Sequence, residues 1–131
     1  TEFCDMYQAY DALPDDLKRA VEGRLAIHHI SKTKNPRVTI SPDRPGAKEY
    51  YEARAKETQE ILQPLVRTHP ETGRQALYIS PRFTIGIADM PDAEAQSLLD
   101  RLFASFVKNR GIQYRHKWRD GDLVMWDNRC V

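Results

Sequence analysis

The sequence predicts one mainly β domain with inserted helices, an α+β chain, and three stretches carry that reading. In residues 112–118, Ile112, Tyr114, His116 and Trp118 fall on one face while Gln113, Arg115 and Lys117 fall on the other. That alternation is the period of a half-buried strand. Arg119-Asp120-Gly121 supplies a turn, Leu123-Val124-Met125-Trp126 returns as a second strand, and the hairpin ends in the polar cluster Asp127, Asn128 and Arg129. The second stretch runs extended from Pro64 to Thr68, turns through His69-Pro70-Glu71-Thr72-Gly73, and returns along Gln75-Ala76-Leu77-Tyr78-Ile79. Pro70 keeps His69 out of the helical region and Gly73 closes the turn. The third is residues 89–108, where Ala95, Leu98, Leu99, Leu102, Phe103 and Phe106 form the broad apolar stripe of a helix that packs on a sheet. Pro91, Asp92 and Glu94 mark its start, Lys108 and Arg110 its end, and Gly111 stops it.

A chain of 131 residues is one domain's worth, with 40% hydrophobic and 30% charged residues, as in ordinary soluble proteins. Lys and Arg number 20 against 19 Asp and Glu, so no net field draws nucleic acid or an acidic membrane. No apolar run approaches the ~20 residues of a membrane span. The start Thr1-Glu2-Phe3 lacks a Met and reads as a cut. Cys4 and Cys130 match no metal spacing and no disulfide framework. They read as two reduced thiols of a cytoplasmic protein, with a bridge between the ends as the alternative.

In chain order, residues 5–13 read as a short helix with Met6, Tyr10 and Leu13 on one face. Pro14, Asp15 and Asp16 restart a second helix that continues through Leu17, Val21 and Leu25, with Gly23 its weak point. Residues 28–46 form a loop with a short strand at Val38-Thr39-Ile40. The adjacent His28 and His29 project to different sides and read as turn or core histidines. Residues 48–62 are charged, helix-prone and solvated. His69 reads as a residue that holds its turn by a ring hydrogen bond. The chain thus divides into a helical pair (1–27), an insert (28–62), and strands with one long helix (63–131).

Three motifs carry a resemblance to a known family. Gly121-Asp122-Leu123-Val124-Met125-Trp126-Asp127-Asn128-Arg129 is similar to the G-D-[LIV]-x-x-W-D-N-R stretch of the TauD/TfdA family of Fe(II)- and 2-oxoglutarate-dependent dioxygenases. Pro64-Leu65-Val66-Arg67-Thr68-His69-Pro70-Glu71-Thr72-Gly73-Arg74 resembles its P-[LV]-V-R-T-H-P-x-[ST]-G-R hairpin. Residues 1–14, from Thr1 through Phe3, Met6, Ala9 and Tyr10 to Leu13-Pro14, resemble its first helix. The resemblance implies a double-stranded β-helix (a jelly roll of the clavaminate synthase type), incomplete in this chain.

It also implies roles. Thr1 matches the Thr that bonds a 2-oxoglutarate carboxylate, where the residues alone suggest a helix-capping Thr. Thr33 and Lys34 fall where a lid touches the substrate, and a Lys in place of the usual aromatic argues against taurine. Phe83 lines the substrate pocket. Trp118 and Trp126 stand near the iron centre, and Asp127, Asn128 and Arg129 brace the turn that presents a distal iron-binding His expected just past Val131. The first two iron ligands belong to a His-x-Asp motif upstream of Thr1, and no His-x-Asp stands in these residues. These residues are therefore expected to contribute no metal ligand and no catalytic residue of their own. Fe(II) and 2-oxoglutarate are expected with the complete chain, the partners being a small anionic substrate and O2 in a homo-oligomer. Phenoxyalkanoates are favoured over sulfonates by Tyr114-Arg115-His116-Lys117-Trp118 and the string from Val124 to Val131. The alternative is an incomplete or silent relative acting as a binding or assembly module.

Overall fold

The computed structural model describes residues 1–29, 49, 52–53 and 56–131. Thr33, Lys34 and the expected strand at 38–40 lie outside the described residues. Of the charged segment 48–62, residues 49, 52, 53, 56 and 57 are described as helical.

The chain enters as strand β1 (Glu2–Cys4) and turns at once into helix α1 (Met6–Asp11). Asp5 starts that helix, its Oδ1 accepting the Tyr7 and Gln8 amides at 2.9 and 3.0 Å. The cap is therefore Asp5 and not Thr1. Helix α2 (Asp15–Val21) follows Pro14, with Asp15 and Asp16 at its positive end and Leu17 and Val21 buried. It stops at Val21, because Gly23 takes φ +67° and redirects the chain into strand β2 (Leu25–His28). Leu25, which helical spacing assigns to α2, belongs to that strand.

Strand β2 is the centre of a three-stranded antiparallel sheet, between β3 (Ile61–Pro64) and β6 (Thr84–Ile87). Ile61 and Leu62 are thus strand residues rather than the end of a charged helix. The expected hairpin is present as β4 (Val66–Thr68) and β5 (Gln75–Leu77), with Gly73 at φ +69° in its turn. Leu65, fully buried between β3 and β4, ties the two sheets together: its N–H donates to the Arg24 carbonyl (2.9 Å) and its carbonyl accepts from Tyr78 (2.8 Å).

Helix α3 (Asp92–Val107) packs on β6 and buries Ala95, Leu98, Leu99, Leu102 and Phe106, the stripe expected from the sequence. Arg101 reaches Asp16 of α2 at 2.6 Å. With Leu17, Val21, Leu65, Leu77 and Ile87, the helix forms the core. No helix of the described residues is long and apolar enough to cross a membrane.

The expected hairpin of residues 112–126 does not form. Strand β7 is short (Gln113–Arg115) and pairs antiparallel with β1, Phe3 opposite Tyr114. The His116 N–H continues that ladder to the Thr1 carbonyl at 2.8 Å. Beyond it, the Asp122 carboxylate accepts the Arg119 amide at 2.9 Å and closes a side-chain turn in place of a ladder. Leu123 and Met125 stay 85% and 84% exposed and find no strand partner among the described residues. Alternation reports which side chains share a face, but not which strand lies alongside.

Candidate functional site

The polar cluster expected from Asp127, Asn128 and Arg129 is built across two distant pieces of chain. Arg129 grips Asp127 through Nε (2.9 Å to Oδ1) and Nη2 (2.6 Å to Oδ2), and its Nη1 reaches Glu71 at 3.0 Å. His69, 4% exposed, supplies the third partner. Its Nδ1 accepts the backbone amides of Glu71 and Thr72, both at 3.3 Å, which holds the β4–β5 turn as its sequence position suggests. An Nδ1 facing two donors carries no proton, so Nε2 carries it and donates to Asp127 Oδ2 at 3.1 Å. The Arg129 guanidinium, then the Arg129 amide and the His69 ring, hold the Asp127 carboxyl well below the usual carboxylate range. The stabilisation from this depressed group is present above the ordinary carboxylate pKa and is lost only as the pH falls below that range. The Cys130 carbonyl then accepts the Met6 amide at 3.0 Å, so the cluster is fastened to the start of α1.

A second group gathers around β1 and β7. The Trp118 indole N–H donates to Thr1 Oγ1 at 2.9 Å. The Thr1 hydroxyl has its oxygen engaged by that donor, so its own proton is available to an external acceptor such as a carboxylate. The Trp118 ring meets His116 edge-on at 4.7 Å, and His116 is held by Asp122 at 2.9 Å and by the Tyr114 hydroxyl at 3.2 Å. Trp126 lies against Phe3, ring centres 5.1 Å apart, and is 54% exposed.

Phe83 forms the shared wall of two cavities. One, of about 400 Å³, is lined by Cys4, His28, Tyr78, Ser80, Asn128 and Arg129 among others. The other, of about 500 Å³, lies between His28, His29, Thr58 and Ile61. Phe83 and two members of the polar cluster, Asn128 and Arg129, therefore meet in one cavity, while Thr1, Trp118 and Trp126 line neither. His29 is a core histidine, 2% exposed, its Nε2 3.1 Å from the Thr58 carbonyl.

Both cysteines are free and half-buried. Burial, with Asp5 beside it, pushes the Cys4 thiol up to about 11. The fold thus favours the neutral thiol; the stabilisation is full below an ordinary thiol pKa and is lost as pH rises toward 11. Cys4 is expected to react with iodoacetamide at pH 8 at least about tenfold more slowly than a free thiol, the thiolate being the nucleophile. Timed alkylation read by peptide mass spectrometry checks this, and equal rates contradict it.

His69-Pro70-Glu71 is a His-x-Glu, the spacing of a ligand pair, and corrects the expectation that neither His-x-Asp nor His-x-Glu occurs in these residues. One ligand atom each from His69, Asp127 and Cys130 also fall within 4.8 Å of one another. Neither set is open: His69 is engaged at both nitrogens, the Asp127 oxygens face Arg129 and His69, and Glu71 faces Arg129. These two sets, hydrogen-bonded in this way, therefore do not fit an iron ion. Sequence reading also missed that His69 and Glu71 partner residues 127–129, since nothing in the linear chain links positions 58 residues apart. The His116–Asp122 pair, six apart across a turn, was within reach of it.

The profile of the taurine catabolism dioxygenase TauD, TfdA family matches residues 1–131. The chain is 43% identical over 131 residues to an alpha-ketoglutarate-dependent 2,4-dichlorophenoxyacetate dioxygenase of Cupriavidus pinatubonensis, covering 100% of the chain and 42% of that protein. It is 41% identical over 133 residues to an (S)-phenoxypropionate/alpha-ketoglutarate dioxygenase of Sphingobium herbicidovorans, covering 100% of the chain and 44% of that protein. The crystal structure of AAD-2 in complex with Mn(II) and N-oxalylglycine superposes with a TM-score of 0.77 at 35% identity, over 98% of this chain and 41% of that one. The chain thus spans about two fifths of the length of the curated relatives it matches. These structural relatives carry the jelly-roll architecture, of which the three small sheets and their helices are a part.

Proposed function

The chain belongs to the taurine catabolism dioxygenase TauD, TfdA family, and from that premise we propose that the protein carrying it is an Fe(II)- and 2-oxoglutarate-dependent dioxygenase. It hydroxylates a small anionic substrate, phenoxyalkanoate-like or sulfonate-like. One oxygen atom of O2 enters the substrate as hydroxyl and the other enters succinate, as 2-oxoglutarate loses CO2. The observation that carries the reading is the match along the whole chain, joined by 43% identity to a 2,4-dichlorophenoxyacetate dioxygenase.

What these residues do in that reaction is bind, orient and exclude water. Thr1, with Trp118 on its oxygen, donates its hydroxyl proton to a 2-oxoglutarate carboxylate. Phe83 presents an apolar wall to the substrate's body. Asp127 and Arg129, clamped by His69 and Glu71, keep the following backbone fixed. Thr33 and Lys34 are carried as substrate contacts and Trp126 as a wall of the metal region. No step is assigned to these residues through iron, because neither set of candidate ligands fits it. The reading includes a cytoplasmic homo-oligomer, supported for the compartment by the two free cysteines.

The test is the full-length protein with Fe(II), 2-oxoglutarate and O2, given phenoxyacetate, phenoxypropionate, taurine or an alkyl sulfate. Succinate release is expected to rise above the substrate-free level, most with a phenoxyalkanoate. No rise with any of them would favour a silent binding or assembly module.

A further inference from the structure

His28 ends β2 at an irregularity of the sheet. Ile27 pairs with Gly86 and His28 with Thr84, so Ile85 is the extra residue of a β-bulge. Bulges bend a strand and re-aim the side chains beside them. The segment leading into this one is a tight turn. Phe83 and Thr84 both donate their amides to the Ser80 carbonyl, at 3.2 and 2.9 Å, and the Phe83 carbonyl accepts the His29 amide at 2.8 Å.

Side chains lock the same turn. Thr84 Oγ1 accepts the Ser80 amide at 3.0 Å and lies 3.4 Å from His28 Nε2. The Thr84 hydroxyl still holds its own proton, which it shares with His28 when Nε2 is the bare nitrogen of the ring. The His28 ring lies nearly parallel to Tyr78, 5.9 Å away at 14°, and Arg67 covers Tyr78 at 5.1 Å. His28 is half-buried, and burial lowers its pKa against a hydrogen bond to the Tyr78 backbone that raises it, which favours the neutral ring with one nitrogen free to accept. The ring also borders both cavities that Phe83 divides.

We infer that His28 is a positioning residue that, through Thr84 and the Ser80–Thr84 turn, fixes Phe83 as the wall against which an aromatic acid's ring binds. The inference rests on the proposed function, which makes Phe83 a substrate contact. His28 acts on the ligand through that turn, so its loss is expected to weaken binding and to spare the chemical step.

The experiment measures phenoxyacetate binding by calorimetry and turnover by succinate release, both on the full-length protein. His28→Phe keeps the ring stack and removes the acceptor; Thr84→Val removes the donor; His28→Gln restores an acceptor. His28→Phe is expected to raise Kd and KM about tenfold, the worth of one hydrogen bond, and Thr84→Val, which also strips the Ser80 amide of its acceptor, at least as much, with kcat within about twofold for both. The double variant is expected to be no worse than Thr84→Val alone, and His28→Gln to recover most of the loss. If His28→Phe fails to fold, the comparison of His28→Gln with wild type and with Thr84→Val reads the bond. Turnover with unshifted Kd and KM, additive effects, or a fall in kcat alone overturns the inference while the enzyme reading stands. Shifted Kd without succinate release sinks the enzyme reading and leaves the inference. A protein that does not bind phenoxyacetate overturns the inference outright.

Discussion

Replacing His69 with Ala is expected to cost the protein about 2–4 kcal/mol of folding stability, the penalty for stranding buried polar groups. The imidazole serves three partners at once. Two backbone amides of the β4–β5 turn lose their acceptor at Nδ1, and Asp127 loses the Nε2 proton. The side chain is 4% exposed, so water does not readily take its place. The loss also joins two events that sequence distance separates: the turn at Glu71 and Thr72 loosens, and so does the Arg129–Asp127 pair. His69→Gln keeps an acceptor and a donor and is expected to recover part of the loss. Urea denaturation of the full-length protein measures it as a fall in midpoint. An Ala variant within about 0.5 kcal/mol of wild type, the range of neutral surface changes, would contradict the account.

Leu102→Ala is expected to cost about 3–5 kcal/mol, from lost transfer energy and the cavity left behind. Leu102 is 0% exposed, at the middle of the α3 stripe, and belongs to the same core as Leu65, Leu77 and Leu99. A domain's whole margin is only about 5–15 kcal/mol, so this one substitution removes a large part of it. Val107→Ala on the same helix, at a side chain 50% exposed, serves as the control and is expected to change stability by less than about 0.5 kcal/mol. Comparable losses for the two variants would mean that α3 does not bury the face assigned to it.

Elements whose signal is local were legible. Helix α3 follows from its three- and four-residue apolar steps, and the β4–β5 hairpin from Pro70 and Gly73. Strands β1, β2 and β6 were not legible, for two physical reasons. They are only three or four residues long, and β6 is covered on both faces, so no alternation marks it. Spacing alone carried Leu25 into the preceding helix, where the positive φ of Gly23 decides otherwise. Residues 123–126 show the opposite failure, an apolar strand-like string with no ladder beside it among the described residues.

The candidate site divides in the same way. Asp127, Asn128 and Arg129 were singled out by the motif they resemble, and two of them lock together within the segment itself. Their partners His69 and Glu71 lie in another hairpin, and no periodicity could have named them. The Thr1–Trp118 bond is of the same kind, brought about by the pairing of β1 with β7.

The most direct measurement is the binding of 2-oxoglutarate to the full-length protein, titrated anaerobically with Fe(II) and compared with a Thr1→Val variant. Wild type is expected to bind, and the variant to bind about 10- to 100-fold more weakly, the worth of one hydrogen bond to a charged carboxylate. Absence of 2-oxoglutarate binding by the wild type, or equal binding by the two proteins, would contradict the account.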